Sequence, residues 1–410
     1  MKGSGPQRFR RGSPQELGFD PARLERISRV TDRALDAGRT AGTLTAVVRD
    51  GSLAWFDARG YRDLASGSPM DAHTLFRIYS MTKPITTVAV MMLVEETAIR
   101  LQDPVSRFFP EYREMMVYVG GDEPPFSTEP AARQITVLDL LTHTAGLAYG
   151  IGDEHPVERR FESDVWSPVA HERDLTLRDL ARLVAEWPLV HQPGTHWRYS
   201  IATDLLGALV EEVAGIPFAD FLEQRLFGPL GMSNTCFTVP EADRDRLASV
   251  YTPSENGLEP SPDPPILSFV QTNAHPNGGG GLVSTAADYL AFAQMLLDGG
   301  RATDADGRPG DYLLAPATVR MMMRDHLPRG VAGWSNPGVG FGYGGSVVTD
   351  LRQFAGYASL GRYGWGGAAS TGVWVDPVER LVGLVLQQVV PYTAELSDDI
   401  ATSVYQAVVR

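Results

Sequence analysis

Phe76-Arg77-Ile78-Tyr79-Ser80-Met81-Thr82-Lys83 is the stretch on which the reading of this chain turns. It sets a lysine three residues after a serine, and in 410 residues with 36 Lys+Arg the only other lysine is Lys2. Most surface roles of lysine pass to arginine. A proton acceptor cannot, because guanidinium stays charged whereas a desolvated ammonium can lose its proton. Ser80 and Lys83 are therefore a candidate nucleophile and base. The tetrapeptide alone is weak, since Ser-x-x-Lys arises by chance and arginine bias has compositional causes, so its context decides.

Working outward, residues 81–99 are nearly all-round apolar and predict a helix buried inside the protein. Ser80 would stand at its N-terminus, where i and i+3 share a face and where backbone N–H groups and the helix dipole favour a developing oxyanion. Pro84 disfavours helical dihedrals at Lys83, which predicts a tight or irregular opening turn. Before this segment, residues 21–37 read as an amphipathic helix capped by Asp20, and residues 42–48 and 52–61 as a hairpin around Asp50-Gly51. After it, residues 112–133 read as a long excursion, and 136–142, 175–187, 202–214 and 218–226 as helices. A glycine run, Gly278 to Gly281, precedes Ser284-Thr285-Ala286-Ala287-Asp288 and a helix over 289–297. Residues 339–349, 367–375 and 381–390 read as strands, with a final helix from about residue 397. This order predicts an α/β domain built from both chain ends, 1–115 and 276–410. A mainly helical domain over 116–275 is inserted between them.

Composition bounds the class. With 43% hydrophobic and 21% charged residues the chain is ordinary for a globular protein of two to three domain-sized units. A net charge of -14 argues against a phosphate-binding surface, so nucleic acid is not expected as a partner. Cys236 is the single cysteine and reads as structural. The first twelve residues have no apolar run behind them, and the longest apolar stretch, 85–94, is too short to span a bilayer. A cytoplasmic protein without membrane attachment is the expectation.

Competing chemistries have less support. There is no Gly-x-Ser-x-Gly elbow and no His-Glu-x-x-His spacing. His191 and His196 flank Pro193-Gly194 and read as loop histidines; no metal is expected. His143 reads as a residue that orders its turn, while a Ser/His/Asp arrangement stays open because its members need not be close in sequence.

The extended segment resembles the active-site region of the serine β-lactamase and penicillin-binding-protein-like superfamily, above all the class C β-lactamase branch and its family VIII carboxylesterases. Further segments match in order: Leu140-Leu141-Thr142-His143-Thr144-Ala145-Gly146-Leu147, Pro193-Gly194-Thr195-His196-Trp197-Arg198-Tyr199-Ser200, Pro229-Leu230-Gly231-Met232-Ser233-Asn234-Thr235, the glycine run to Asp288, and Gly364-Trp365-Gly366-Gly367. The resemblance implies an α+β fold, an antiparallel sheet flanked by helices, with the active site between the two domains. It implies Ser80 as nucleophile and Tyr199 as the second-motif tyrosine coupled to Lys83. The backbone N–H groups of Ser80 and Ala368 become the oxyanion hole.

Two departures choose the branch. Ile201 stands where the second motif usually carries asparagine, and Trp365-Gly366-Gly367 stands where the third motif usually carries a cation. Without that cation a penicillin or peptide carboxylate lacks its partner, and the indole offers an apolar wall to a neutral group. Core filling is the alternative for Trp365. Ile201, Trp365, Gly366 and Gly367 are thus expected at the substrate. The reaction expected is hydrolysis of short-chain carboxylic esters, small-molecule substrates, through an acyl-enzyme on Ser80, with no cofactor. A β-lactamase or D-aminoacyl peptidase, a transacylase, and a non-catalytic binding protein on the same fold are the alternatives.

Overall fold

The structure, a computed structural model, describes residues 9–150, 155–166, 175–262, 269–270, 276–303, 308–331, 333 and 336–410. The expected first helix forms in two pieces. Asp20 caps Pro21–Leu24, accepting from Ala22 N at 2.9 Å, and after Glu25 the helix α1 runs Arg26–Asp36. Strands β1 (Gly42–Arg49) and β2 (Ser52–Asp63) follow, with β3 (Ser68–Pro69) beside β2. Asp50 and Gly51 take φ of 48° and 72°, the left-handed pair that a two-residue hairpin turn needs.

A one-turn 3₁₀ helix, Tyr79–Met81, then leads into α2 (Thr82–Glu95); the opening is tight as expected, but Lys83 itself is helical in spite of Pro84. The helices α3 (Val137–Leu141), α4 (Leu177–Ala185) and α5 (Ala202–Ala214) lie in the middle of the chain, and α6 (Ala286–Leu297) follows the glycine run. The predicted helix over 218–226 holds α-geometry over Phe218–Leu222 and widens to a π-turn over Glu223–Phe227. The chain closes with β4 (Val339–Phe341), β5 (Ser346–Val348), β6 (Tyr363–Gly367), β7 (Thr371–Asp376), β8 (Leu381–Leu386) and α7 (Glu395–Ala407).

One antiparallel sheet joins the two chain ends in the order β4-β5-β6-β7-β8-β1-β2-β3. Leu44 opposes Leu386 and Arg49 opposes Leu381, which fixes the register between the first and last strands. Because side chains alternate along a strand, the two faces bury different sets. Leu44, Ala46, Val48, Val382 and Leu384 enter the main core with α2 and α6, whereas Val47, Leu381 and Val385 pack with Leu24, Ile27, Leu396 and Val404 from the N-terminal helical pieces and α7. Both faces of β1 are therefore covered, and all eight of its residues are buried.

Three sequence expectations need correction. Residues 112–133 are not simply an excursion: Tyr112 is fully buried and donates to Ala181 O at 2.9 Å, and Met116–Gly120 pairs with Ser127–Pro130 as a two-stranded ribbon. The strand expected over 339–349 is a hairpin of two short strands, and that over 367–375 breaks at Ala368, ending β6 where the third motif ends. Gly344, at φ of 71°, turns the chain between the two short strands, and Ser370, at φ of 62°, turns it between β6 and β7. Among the described residues no helix is long and apolar enough to cross a membrane.

Candidate active site

The segment that carries Ser80 is clamped before α2 begins. Phe76 and Arg77 pair with Ser284 and Val283, Ile78 N donates to Leu282 O at 3.0 Å, and Leu282 N donates to Thr82 Oγ1 at 3.2 Å. Tyr79 takes φ of 43°, a left-handed backbone that an aromatic residue seldom adopts. The next residue, Ser80, is half-buried at the cavity wall. From the other side the third-motif strand comes close enough that a Cβ at Gly367 would overlap the carbonyl oxygen of Ile78. Only glycine permits that approach, which brings Ala368, at the exposed end of β6, to the same cavity as Ser80.

Lys83 is wholly buried one helical turn below Ser80. Its Nζ lies 3.5 Å from Ser80 Oγ, donates to Gly279 O at 2.7 Å and approaches Tyr149 Oη at 3.4 Å. Two phenol rings face it, with centroids 4.5 Å away for Tyr199 and 5.2 Å for Tyr149. Burial works against the ammonium, but the phenols of Tyr149 and Tyr199 and the carboxylate of Asp204 outweigh it and hold Lys83 above the ordinary lysine value. The desolvation invoked from sequence is present, yet these neighbours reverse its effect in the resting site. Burial also keeps the phenol of Tyr149 protonated, against the pull of Lys83.

Asp204 and the glycine run complete this environment. Gly279 N donates to Asp204 Oδ1 at 3.1 Å while Gly279 O accepts from Lys83, so a single residue's backbone spans carboxylate and ammonium. A Cβ at Gly279 would collide with the Asp204 carboxylate. Burial raises the Asp204 carboxyl to about 6 although Lys83 opposes the shift, and Oδ2 has no hydrogen-bond partner among the described residues.

The remaining motifs interlock around Tyr199. Arg198 N donates to His143 O at 2.8 Å, Gly194 N to Thr144 O at 2.8 Å, and Ser200 N to His143 Nδ1 at 3.3 Å. Burial, with Lys83 nearby, keeps His143 neutral and well below the usual histidine range. Its ring packs 5.0 Å from that of Tyr199, and its backbone φ of 55° forms the turn it was expected to order. Asp288 Oδ2 accepts from Asn234 N at 2.7 Å and Thr235 Oγ1 at 3.1 Å, tying the segment 229–235 to the start of α6. Burial pushes the Cys236 thiol up to about 11, which keeps it from thiolate chemistry.

Trp365 is half-buried on the cavity wall, its ring 5.6 Å from Tyr199 and 5.3 Å from Phe341. It lines the cavity together with Gly366 and Gly367. Ile201 is placed elsewhere than expected: it is fully buried in the main core and is not among the described residues that line the cavity. The physical reason is its position immediately before α5, whose first nine residues are all buried. His191 and His196 face each other at 5.1 Å, and no group of three metal-binding side chains forms around them among the described residues.

Residues 27–404 match the beta-lactamase family. The chain belongs to the beta-lactamase family. Within it, the chain is 38% identical over 387 residues to Protein Rv1367c of Mycobacterium tuberculosis, covering 90% of each. It is 32% identical over 390 residues to Esterase EstB of Burkholderia gladioli, covering 90% of this chain and 91% of that one. The structure of EstCE1, a hydrolase with promiscuous acyltransferase activity, superposes with a TM-score of 0.77 at 29% identity, covering 94% of this chain and 99% of that one. The β-lactamase/transpeptidase-like α+β fold expected from sequence is thus the fold of this family member.

Three functional candidates were missed from sequence. Tyr149 lies two residues beyond the matched segment 140–147, and nothing in its spacing distinguishes it. Asp204 carried a usable signal, a carboxylate in the otherwise apolar opening of α5. Glu158 is buried at 2% exposure, accepts from Tyr149 N at 2.8 Å and Gly150 N at 2.6 Å, and pairs with Arg198 at 3.0 Å. It ties the backbone of one tyrosine to the neighbour of the other. Glu158→Ala leaves Arg198 without this partner and two backbone donors unpaired, and is expected to lower stability by about 3 kcal/mol, measured by urea unfolding.

A pH dependence follows from His191, which burial lowers from 6.5 to about 4. As pH falls from 7 towards 4 the unfolded chain takes up a proton before the folded chain does, so the fold loses stability. Relative to His191→Gln, the wild type should lose at most about 3 kcal/mol across that window, read from urea midpoints at the two ends.

Proposed function

We propose that this protein hydrolyses neutral carboxylic esters through an acyl-enzyme on Ser80. It is a serine hydrolase of the beta-lactamase family. The observation that carries the substrate class is Trp365, an aromatic wall beside Tyr199 where a carboxylate-binding cation would otherwise stand. Among the described cavity-lining residues the cation is Arg362, just before β6, where its Nη1 donates to Tyr357 O at 3.1 Å. The similarity to the esterase EstB and to the hydrolase EstCE1 supports an esterase reading for this chain.

In the proposed reaction Ser80 Oγ attacks the ester carbonyl while the Lys83 and Tyr199 pair accepts its proton as one coupled unit. The oxyanion is held by the backbone N–H groups of Ser80 and Ala368, each such donor being worth about 2.7–4 kcal/mol of barrier. The bond to the alcohol oxygen breaks, the pair returns its proton to that oxygen, and the acyl group stays on Ser80. Water then attacks the acyl carbonyl with the same pair as base, releasing the acid and restoring the serine. Tyr149 and Asp204 position Lys83 and set its charge; Gly279 carries the contact between Asp204 and Lys83.

Hydrolysis of p-nitrophenyl butyrate tests the proposal. Ser80→Ala should lower kcat/KM by at least about 10³-fold, and retention of near-wild-type turnover would sink it. A kcat/KM for nitrocefin above that for the ester would move the assignment to a β-lactamase. A second reading, acyl transfer to an alcohol in place of water, is favoured by the promiscuous acyltransferase activity of EstCE1 and by a cavity of about 1030 Å³. It predicts a new ester when an alcohol acceptor is added.

A further inference from the structure

The cavity that contains Ser80 continues past Trp365. Strand β5 pairs with β6 only at Ser346 with Gly364 and Val347 with Tyr363, so Trp365 to Gly367 form an edge that β5 leaves open. Beyond this edge the same cavity is walled by the start of α7, through Ser397 and Ala401, by Phe354 and Tyr357 from the connection between β5 and β6, and by Trp374 of β7, with Asp398, Thr402 and Arg362 as its polar rim. Gly366 and Gly372 also line it, and the absence of a Cβ there lets Tyr392 and Ser397 lie close against the two strands. A second arm, with Tyr149 and Trp166, lies on the helical side. Ser80 thus shares one cavity with both groups of residues. At about 1030 Å³ the whole space reaches the upper end of ordinary small-molecule sites, and a short-chain ester leaves most of it unfilled.

We infer that the recess between β6, β7 and α7 is a binding groove for an extended apolar chain of the ester. This rests on the esterase reading and deepens it: the preferred substrates are esters with a long hydrocarbon moiety on one side of the reacting bond. The aromatic wall supplies apolar contact, and burying each added methylene there favours the longer substrate. The open edge of β6 lets that chain leave the reacting centre without crossing a strand. Ser397 and Ala401, one helical turn apart on α7, set the width of the groove.

Two matched substrate pairs test this and identify which side of the ester occupies the groove. p-Nitrophenyl decanoate against p-nitrophenyl butyrate lengthens the acyl side, and decyl acetate against ethyl acetate lengthens the alcohol side. In one pair the wild type should favour the longer member at least about tenfold in kcat/KM, and Ser397→Phe should remove that preference. Ala401→Leu, a smaller intrusion, should reduce it in the same pair and serves if Ser397→Phe lowers the melting temperature. Calorimetric binding of decanoate or decanol, whichever matches the preferred side, should weaken at least about tenfold in the same variant. No preference in either pair, or equal losses for long and short esters, would overturn the groove. If no ester is turned over yet decanoate or decanol binds the wild type and not Ser397→Phe, the esterase reading fails and the groove stands.

Discussion

Lys83→Arg should impair ester hydrolysis as severely as Lys83→Ala, by at least about 10³-fold in kcat/KM. Arginine keeps the charge that Tyr149, Tyr199 and Asp204 stabilise, so a residue needed only as a cation would tolerate the change. Two features argue that it does not. The pocket around Nζ is closed, with Lys83 fully buried and its ammonium placed 2.7 Å from Gly279 O, and a planar guanidinium cannot take that place without displacing the glycine run. A guanidinium also cannot release a proton, which the coupled pair must do when the leaving alcohol departs. Burst labelling by a fluorophosphonate, compared in the wild type and both variants, checks that the loss lies in nucleophile activation. Near-wild-type labelling of Lys83→Arg would assign lysine a purely electrostatic role.

The second large effect distinguishes two tyrosines that flank the same ammonium. Tyr199→Phe should lower kcat/KM by about 10²- to 10⁴-fold, the range associated with a positioned proton carrier. Tyr149→Phe should lose about tenfold, the scale of one positioning hydrogen bond. Tyr199 stacks on Trp197 and meets Trp365 on the third-motif side of the cavity. Tyr149 sits on the helical side, anchored through its backbone by Glu158, with its phenol kept protonated by burial. A reversed ranking would exchange their roles, and a pH profile of kcat/KM for both variants separates proton transfer from positioning.

Much of this arrangement was legible in the sequence because it depends on short-range rules. The Asp50-Gly51 turn and the Asp20 cap follow from local preferences of single residues, and both appear where those preferences put them. The grouping of Ser80, Lys83, Tyr199 and Trp365 came from an ordered set of motifs. The same set proves to be a network of latches, in which His143 O, Thr144 O and Asp288 Oδ2 receive bonds from distant segments.

What escaped the sequence depends on long-range packing. Tyr149 reaches Lys83 across 66 residues and Glu158 reaches Arg198 across 40, distances that no local pattern encodes. Ile201 was expected at the substrate because of its motif position. Its burial beside α5 shows that a motif position and a side-chain direction are separate properties. Lys83 shows the same limit in its electrostatics. Burial alone predicts an easily lost proton, while two phenols and one carboxylate found only in the folded chain hold it in place.

The central claim is a covalent acyl group on Ser80 during turnover. Rapid acid quench of the protein with p-nitrophenyl butyrate, followed by intact mass and peptide mapping, tests it most directly. The expected result is a butyryl adduct on the peptide containing Ser80, present in the wild type and absent from Ser80→Ala. Turnover of the ester with no adduct at any quench time, or an adduct that persists on another residue in Ser80→Ala, would contradict the account.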